Sequence, residues 1–460
     1  MPATGTLYRT VVTLLWVLAA YNSFACRGLF WDGAAFLVNV VDFRTFHDFY
    51  PARAHVGWVT QLPLLFALRA GVTDMNVLAM IQSAALFALP AGLYQLALAR
   101  LRNEPVLFAT VLAAIAIVYF PTSFFIIGEY NAAYAAMTAA MAVLLTGNGS
   151  RRDGLILAAL GALCLRSYEA MIYLGPLLAA AVLWATWWRH DGRQGGRRVG
   201  SRDDVARLLG TIAALAFLGG AVVSGVTMTE YWHHPHFVQV RAAVADFWQN
   251  LQFMIPFCGL LIFAVVSLVY PSWLRGPGPI LLIGLAVALM IVLPWVRVFR
   301  PAAFLFPPSH YVARTAAGCV LWAMLVVMWI HVAGRASPIA LLACLREPAV
   351  GRRLAAAMTA LVLAASVPDV TLTRLWGDYL GYLRTVVVNE TGMVDAKTLS
   401  LQSWPQSLFS QQWTLPALSA VLRRDPGNAI VIADVHDPDE KPFDPRCGTL
   451  PRLIGFRWPP

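Results

Sequence analysis

The sequence predicts an all-α polytopic membrane protein with a small α/β appendage at its C-terminal end, and three observations carry that expectation. The chain of 460 residues is 59% hydrophobic and only 13% charged, whereas a soluble domain carries roughly a quarter charged residues. Apolar runs near the ~20 residues that cross a bilayer as a helix recur along it, separated by short Arg-rich or Pro/Trp-rich breaks. Those runs are continuous rather than alternating, which excludes a membrane β-barrel. Helices then remain as the way to satisfy every backbone polar group in lipid.

The arginines orient these helices. A net charge of +10 is not a nucleic-acid footprint here, because the basic residues stand in breaks between apolar runs, where the positive-inside rule places them. The marked breaks hold Arg100 and Arg102, then Arg151 and Arg152. The strongest cluster is Arg189, Arg193, Arg197, Arg198, Arg202 and Arg207, and Arg335, Arg346, Arg352 and Arg353 mark a fourth. About eleven spans put all four on the cytoplasmic side. They run at approximately 7–26, 74–98, 105–126, 130–146, 154–166, 168–188, 208–228, 249–271, 278–296, 312–332 and 354–368. The N-terminus is then cytoplasmic and the far end is not. Residues 1–368, with a first outer loop at 27–56, form the expected membrane domain, and 369–460 an outer tail. Arg9 ahead of Val11–Ala20 has the outline of a signal peptide. Phe24 is too bulky beside a cleavage site, so the first run is read as an uncleaved anchor helix. Six cysteines show no CxxC spacing and are read as packing residues.

Some segments depart from simple spans. Gly57–Ala70 is apolar but short and broken by Gln61 and Pro63, the pattern of a re-entrant or interfacial helix. Arg166-Ser167-Tyr168-Glu169 interrupts two runs where both reach the outer face, and charges at such a depth usually face a cavity. In the tail, Leu415–Arg424 reads as a short helix and Ile430–Asp434 as a buried strand, which gives the appendage its α/β character.

The first outer loop carries the most chemistry. Asp32, in Leu29-Phe30-Trp31-Asp32-Gly33, follows the first span at the membrane–water boundary, where a carboxylate can act as general base on an acceptor hydroxyl. The competing structural role is a cap on the helix that begins at Gly33. This order of elements resembles the GT-C superfamily of lipid-linked-sugar glycosyltransferases, which includes protein O-mannosyltransferases and the lipid A aminoarabinose transferase. Asp32 matches the family's acidic residue after the first span. His55 with Pro63-Leu64 occupies the place of its His-Pro element, and Gly161–Arg166 is similar to its Gly-x-x-x-Leu-x-Lys segment, with Arg166 for Lys. The resemblance covers roughly residues 1–190 and implies a GT-C-like membrane domain that transfers sugar from a polyprenyl-phosphate carrier.

Such a transfer needs cations for the departing phosphate as well as a base. Arginine suits that task because its fork matches phosphate oxygens. Arg53, Arg166, Arg300 and Arg314 are the candidates for the carrier phosphate; Trp31, His55, Tyr168, Glu169 and His310 are expected to line the substrate site. Glu129 is the best second carboxylate, and Asp42 and Asp48 remain candidates for the base. Arg166 and Glu169 also have the spacing of an ordinary helical ion pair. Trp232-His233-His234-Pro235-His236 is not read as a metal site, because Pro235 breaks the helix that would align the imidazoles. No metal ligands are assigned, and a divalent cation stays compatible with the phosphate chemistry.

The leading expectation is therefore an inverting glycosyltransferase on the outer face of a bacterial inner membrane. Its partners would be a polyprenyl-phosphate-linked sugar donor, a glycan, lipid or protein acceptor, and the bilayer, with no nucleic acid. An O-antigen-ligase or polymerase-like transferase is the alternative among enzymes, and a transporter or flippase of lipid-linked sugars the alternative of another class. Transporters generally show paired halves with matching broken helices, and no such symmetry is visible.

Overall fold

The computed structural model describes residues 4–47, 53–123, 128–188, 201–230, 251–298, 310–334 and 339–402, together with 232, 406, 409, 410, 414–432, 453 and 455–458. Of the segments 201–230, 251–298 and 310–334, side chains are described at 204–230, 258–288 and 317–334 only. Helices make up most of it. They are α1 (Thr4–Phe24), α2 (Asp32–Phe43), α3 (Ala54–Arg69), α4 (Met75–Leu101), α5 (Pro105–Ser123), α6 (Glu129–Thr146), α7 (Arg151–Leu165) and α8 (Met171–Leu183). After these come α9 (Ser201–Glu230), α10 (Leu251–Val269), α11 (Gly278–Val298), α12 (His310–Ala333), α13 (Ala340–Leu345), α14 (Pro348–Asn389) and α15 (Leu415–Leu422). Among the described residues, four helices are long and apolar enough to cross a membrane: Met75–Leu101, Pro105–Ser123, Asp204–Glu230 and Pro348–Asn389.

Helix starts follow local chemistry. The Asp74 side chain accepts from the backbone N–H groups of Asn76 and Val77 at 2.8 and 3.0 Å and caps α4. Ser150 caps α7 by accepting from Asp153 N–H at 3.2 Å. Pro105 and Pro348 stand at first-turn positions, where a missing N–H costs nothing. In the middle of α5, Ile115–Tyr119 widen into a π-helical turn.

Helix ends expected on the same side of the membrane meet each other. Arg100 pairs with Asp153 at 2.6 Å and Arg275 with Glu347 at 2.5 Å, each joining two breaks expected to be cytoplasmic. The interfacial expectation for 57–70 corresponds to α3, which turns Trp58, Val59, Leu62 and Phe66 outward and buries Thr60, Gln61, Leu64 and Leu68. Gln61, a break in the apolar run, has a structural task. Its side chain accepts from His47 N–H at 2.8 Å and donates to His47 O at 2.6 Å, closing the first loop onto α3.

The last span was expected to end at 368, but α14 continues without interruption through Pro368 to Asn389, so a domain boundary at 368/369 falls inside a helix. The continuation is amphipathic: Asp369, Leu372, Thr373, Trp376, Tyr379, Leu380, Leu383 and Val387 form its buried face. A search for unbroken apolar runs ends where that polar face begins.

The tail has the expected small α/β character. Residues 415–422 form α15, and β1 (Met393–Asp395) pairs in parallel with β2 (Ile430–Ile432), Met393 opposite Ile430. The tail is anchored to the first loop: Phe409 packs edge-on against Phe30 and Trp376 at 6.3 and 5.7 Å. Near the chain end, Met75 N–H donates to Arg457 O at 2.8 Å, and the Arg44 guanidinium lies 5.9 Å from the Phe456 ring.

Candidate functional site

Three chain breaks, at helix ends that the sequence assigns to the outer side, converge. The first is the turn 26–32, a single 3₁₀ turn at Arg27–Leu29 between two residues of positive φ, Cys26 (49°) and Trp31 (50°). A non-glycine residue in that region is strained and held by its surroundings. Trp31 stacks on Phe30 at 5.5 Å. Asp32 is the first residue of α2, while Trp31 occupies the cap position and makes no side-chain cap bond. Asp32 therefore stands in the first turn of α2, where the helix dipole favours a carboxylate, and not at its cap position.

The second break, Arg166–Ala170, separates α7 from α8. Alpha-helix C-termini leave carbonyls without intrahelical donors, and the start of α3 supplies them here. His55 N–H donates to Arg166 O at 3.0 Å, and His55 Nδ1 lies 2.6 Å from Ala162 O. A carbonyl oxygen only accepts, so that contact places a proton on Nδ1. The Ser167 hydroxyl donates to Cys164 O at 3.0 Å. Arg166 is the α7 C-cap, at φ −135° and ψ 67°, and its guanidinium stands 5.9 Å from the Trp58 ring. Trp58 also contacts His55 and Phe46, at 5.3 and 6.0 Å between ring centres.

Across this break lies the acidic cluster. Arg53 Nη2 is 2.7 Å from Glu169 Oε1, and Arg53 Nε donates to the same oxygen at 2.8 Å; the two side chains are 16% and 14% exposed. The Arg53 guanidinium sits 5.3 Å from the Tyr168 ring, which meets Tyr130 edge-on at 5.2 Å. Because α7 ends at Leu165, Arg166 and Glu169 share no helical turn, and the pairing of Glu169 runs to Arg53 across the chain.

The third break brings Glu129, which opens α6 just ahead of the expected span at 130. Burial pushes the Glu129 carboxyl above the usual range. Arg53 and its own N–H draw it back, while Asp32 and Glu169 push it further up. Asp32, Glu129, Glu169 and Arg53 thus share one electrostatic neighbourhood. For Arg53, burial works against the charge, but Glu169, Glu129 and Tyr168 outweigh it and hold the cation firmly protonated.

The Glu129 shift has a pH consequence. The folded protein binds this proton more tightly than the unfolded chain. The associated stability is complete below the ordinary glutamate range and is lost as pH rises through the raised pKa. Glu129→Gln, which imitates the protonated form, is expected to flatten that decline in melting temperature from about pH 4 upward. An unchanged slope would remove Glu129 from the cluster's charge balance.

Other expected site residues lie elsewhere. Asp42 is at the exposed end of α2 and accepts a hydrogen bond from the backbone of Leu453. Asp48 and Arg300 lie outside the described residues, as do the side chains of His310 and Arg314 and residues 233–236. Among the described residues no group of three His, Cys, Asp or Glu side chains is placed to hold a metal ion. Comparison with family models, with curated proteins and with solved structures finds no match for the chain.

Proposed function

We propose that this chain is a glycosyltransferase of the bacterial inner membrane, GT-C-like in its first half. It takes sugar from a polyprenyl-phosphate carrier to an envelope glycan, lipid or protein on the outer face. The observation that carries this reading is the gathering of Asp32, Glu129 and Glu169 with Arg53 and Tyr168, from three breaks that the arginine pattern assigns to one side. Ionisable residues at such a depth mark functional sites by default.

The reaction is a single displacement. The acceptor O–H gives its proton to Asp32 as its oxygen bonds to the anomeric carbon. The bond from that carbon to the phosphate oxygen breaks on the opposite face, and polyprenyl phosphate leaves with the electron pair. Arg53 and Arg166 stabilise the charge that grows on the phosphate. Trp31, Trp58 and His55 line the approach, and the side of Trp58 facing outward continues into the apolar face of α3. The orientation has the N-terminus in the cytoplasm and the tail in the periplasm.

Two measurements test this. Reporter fusions after Gly149 and after Gly427 are expected to read cytoplasmic and periplasmic respectively; the same side for both would place the chemistry in the wrong compartment. Purified protein in liposomes with labelled polyprenyl-phosphate mannose or glucose, and extracted envelope as acceptor, is expected to release polyprenyl phosphate and label the acceptor. Carrier sugars moved across the bilayer without cleavage would favour a flippase instead.

A further inference from the structure

We propose that Arg27 and Asp369 form a positioning pair that sets the turn carrying Trp31 and Asp32, by fixing it to the late helix α14. The inference rests on the reading of Asp32 as the base. Arg27 Nη1 lies 2.8 Å from Asp369 Oδ1, with side-chain exposures of 0% and 2%. The same nitrogen donates to Thr373 Oγ1 at 2.8 Å and to Asn22 Oδ1 at 3.1 Å, and Nη2 donates to Ser123 Oγ at 3.4 Å. Ser123 donates in turn to Asp369 Oδ1 at 2.7 Å, and the guanidinium stands 5.1 Å from the Phe87 ring. Side chains of α1, α4, α5 and α14 thus meet on one loop residue.

A buried ion pair is poor evidence of stabilisation, because desolvation can cancel the attraction, and well-packed apolar residues often do as well. Its value here is geometric. Arg27 opens the 3₁₀ turn whose flanking residues, Cys26 and Trp31, both have positive φ. The rest of the turn is tied just as closely. Gly28 N–H donates to Ser83 Oγ at 2.9 Å, and Gln82 Nε2 donates to Gly28 O at 3.1 Å and to Gly33 O at 2.7 Å. A Cβ on Gly33 would come within 1.8 Å of Gly28 O, so the two ends of the turn press together around Asp32. On the α14 side, Asp369, Thr373 and Trp376 recur at helical spacing on one buried face. Trp376 meets Phe30 edge-on at 5.4 Å. One face of α14 therefore grips Arg27 through charge and Phe30 through its ring, and the chain between Phe30 and Gly33 is what those grips aim.

The test replaces the pair by apolar residues of similar size, Arg27→Met with Asp369→Leu. Ser123 and Thr373 keep their bonds to the carbonyls of Phe120 and of residue 369, so the variant has few polar groups left unpaired. The expected result is a folded protein whose amides at 27–33 exchange with deuterium about tenfold faster. Transfer from labelled polyprenyl-phosphate mannose or glucose should lose about 10²-fold in kcat, with donor KM little changed, because the groups that bind the carrier are intact. Wild-type exchange and wild-type transfer in the apolar variant would overturn the proposal and reduce the pair to ordinary packing. If the apolar variant does not fold, Arg27→Lys, which keeps the charge and loses the fork, is read by the same criteria. If that also fails to fold, the pair is a requirement of the fold as a whole and the proposal falls. A wild-type protein that transfers no sugar would end the glycosyltransferase reading, and the exchange at 27–33 would then decide the pair by itself.

Discussion

Asp32→Asn is expected to lower sugar transfer by about two to four orders of magnitude while leaving the protein folded, the loss typical of a missing general base. Asparagine keeps the size of the side chain and removes the charge. If Asp32 served α2 through the helix dipole alone, its loss would cost about 0.3–1 kcal/mol of stability, and activity would survive. The cap position belongs to Trp31, which leaves little for a capping role to explain. Loss of the Asp32 charge also relieves Glu129, whose carboxyl it pushes up. The two effects oppose each other, so the variant should stay within about 1 kcal/mol of the wild type near neutral pH. Transfer of labelled sugar beside a melting curve separates the outcomes. Full activity in a stable Asp32→Asn protein would move the base to Glu129, Asp42 or Asp48. Slow transfer with carrier binding retained is the expected pattern, because Arg53 and Arg166 are untouched.

Much of the architecture was legible because hydropathy and arginine placement are strong, local signals. The helices at 75–101, 105–123 and 129–146 follow the apolar runs closely, and the Ile430–Ile432 strand follows its own pattern. The extension of α14 was not legible by the same means. Past Pro368 the segment becomes half polar, and its buried face shows only as a spacing of three and four through Asp369, Thr373 and Trp376. Site residues divide in the same way. The candidates Asp32, Glu129, Arg53, Tyr168 and Glu169 were visible as charged or aromatic residues at breaks expected to be outer, and the structure gathers them. The partners of each were not visible. Arg53 and Glu169 stand 116 positions apart, and Arg27 and Asp369 stand 342 apart. No local pattern encodes a pairing over such distances; it depends on how helices stack. Arg166 shows the converse, since the spacing of a helical ion pair with Glu169 is present but the helix ends at Leu165.

Arg53→Met is the second substitution with a large expected effect. Arg53 is the cation within the acidic cluster: it holds Glu169 at 2.7 Å and lies within electrostatic reach of Glu129. Removing one member of a largely buried pair leaves the other charge uncompensated, at a cost of about 2 kcal/mol at this partial exposure. Glu129 should then hold its proton to still higher pH, because the cation that draws its pKa down is gone. Transfer is expected to fall by about 10²–10³-fold, the usual loss on removing one group that stabilises developing charge. Stability and activity would thus fall together, and the single variant cannot tell a structural arginine from a phosphate-binding one. The double variant Arg53→Met with Glu169→Gln separates them, since it removes the uncompensated charge along with the cation. Stability is expected to return toward that of the wild type, and transfer is not. The residual defect should lie in kcat rather than in donor KM, if Arg53 acts on phosphate charge that grows only in the transition state. Recovery of transfer along with stability would make Arg53 a counter-ion to Glu169 and leave Arg166, beside Trp58, to meet the phosphate.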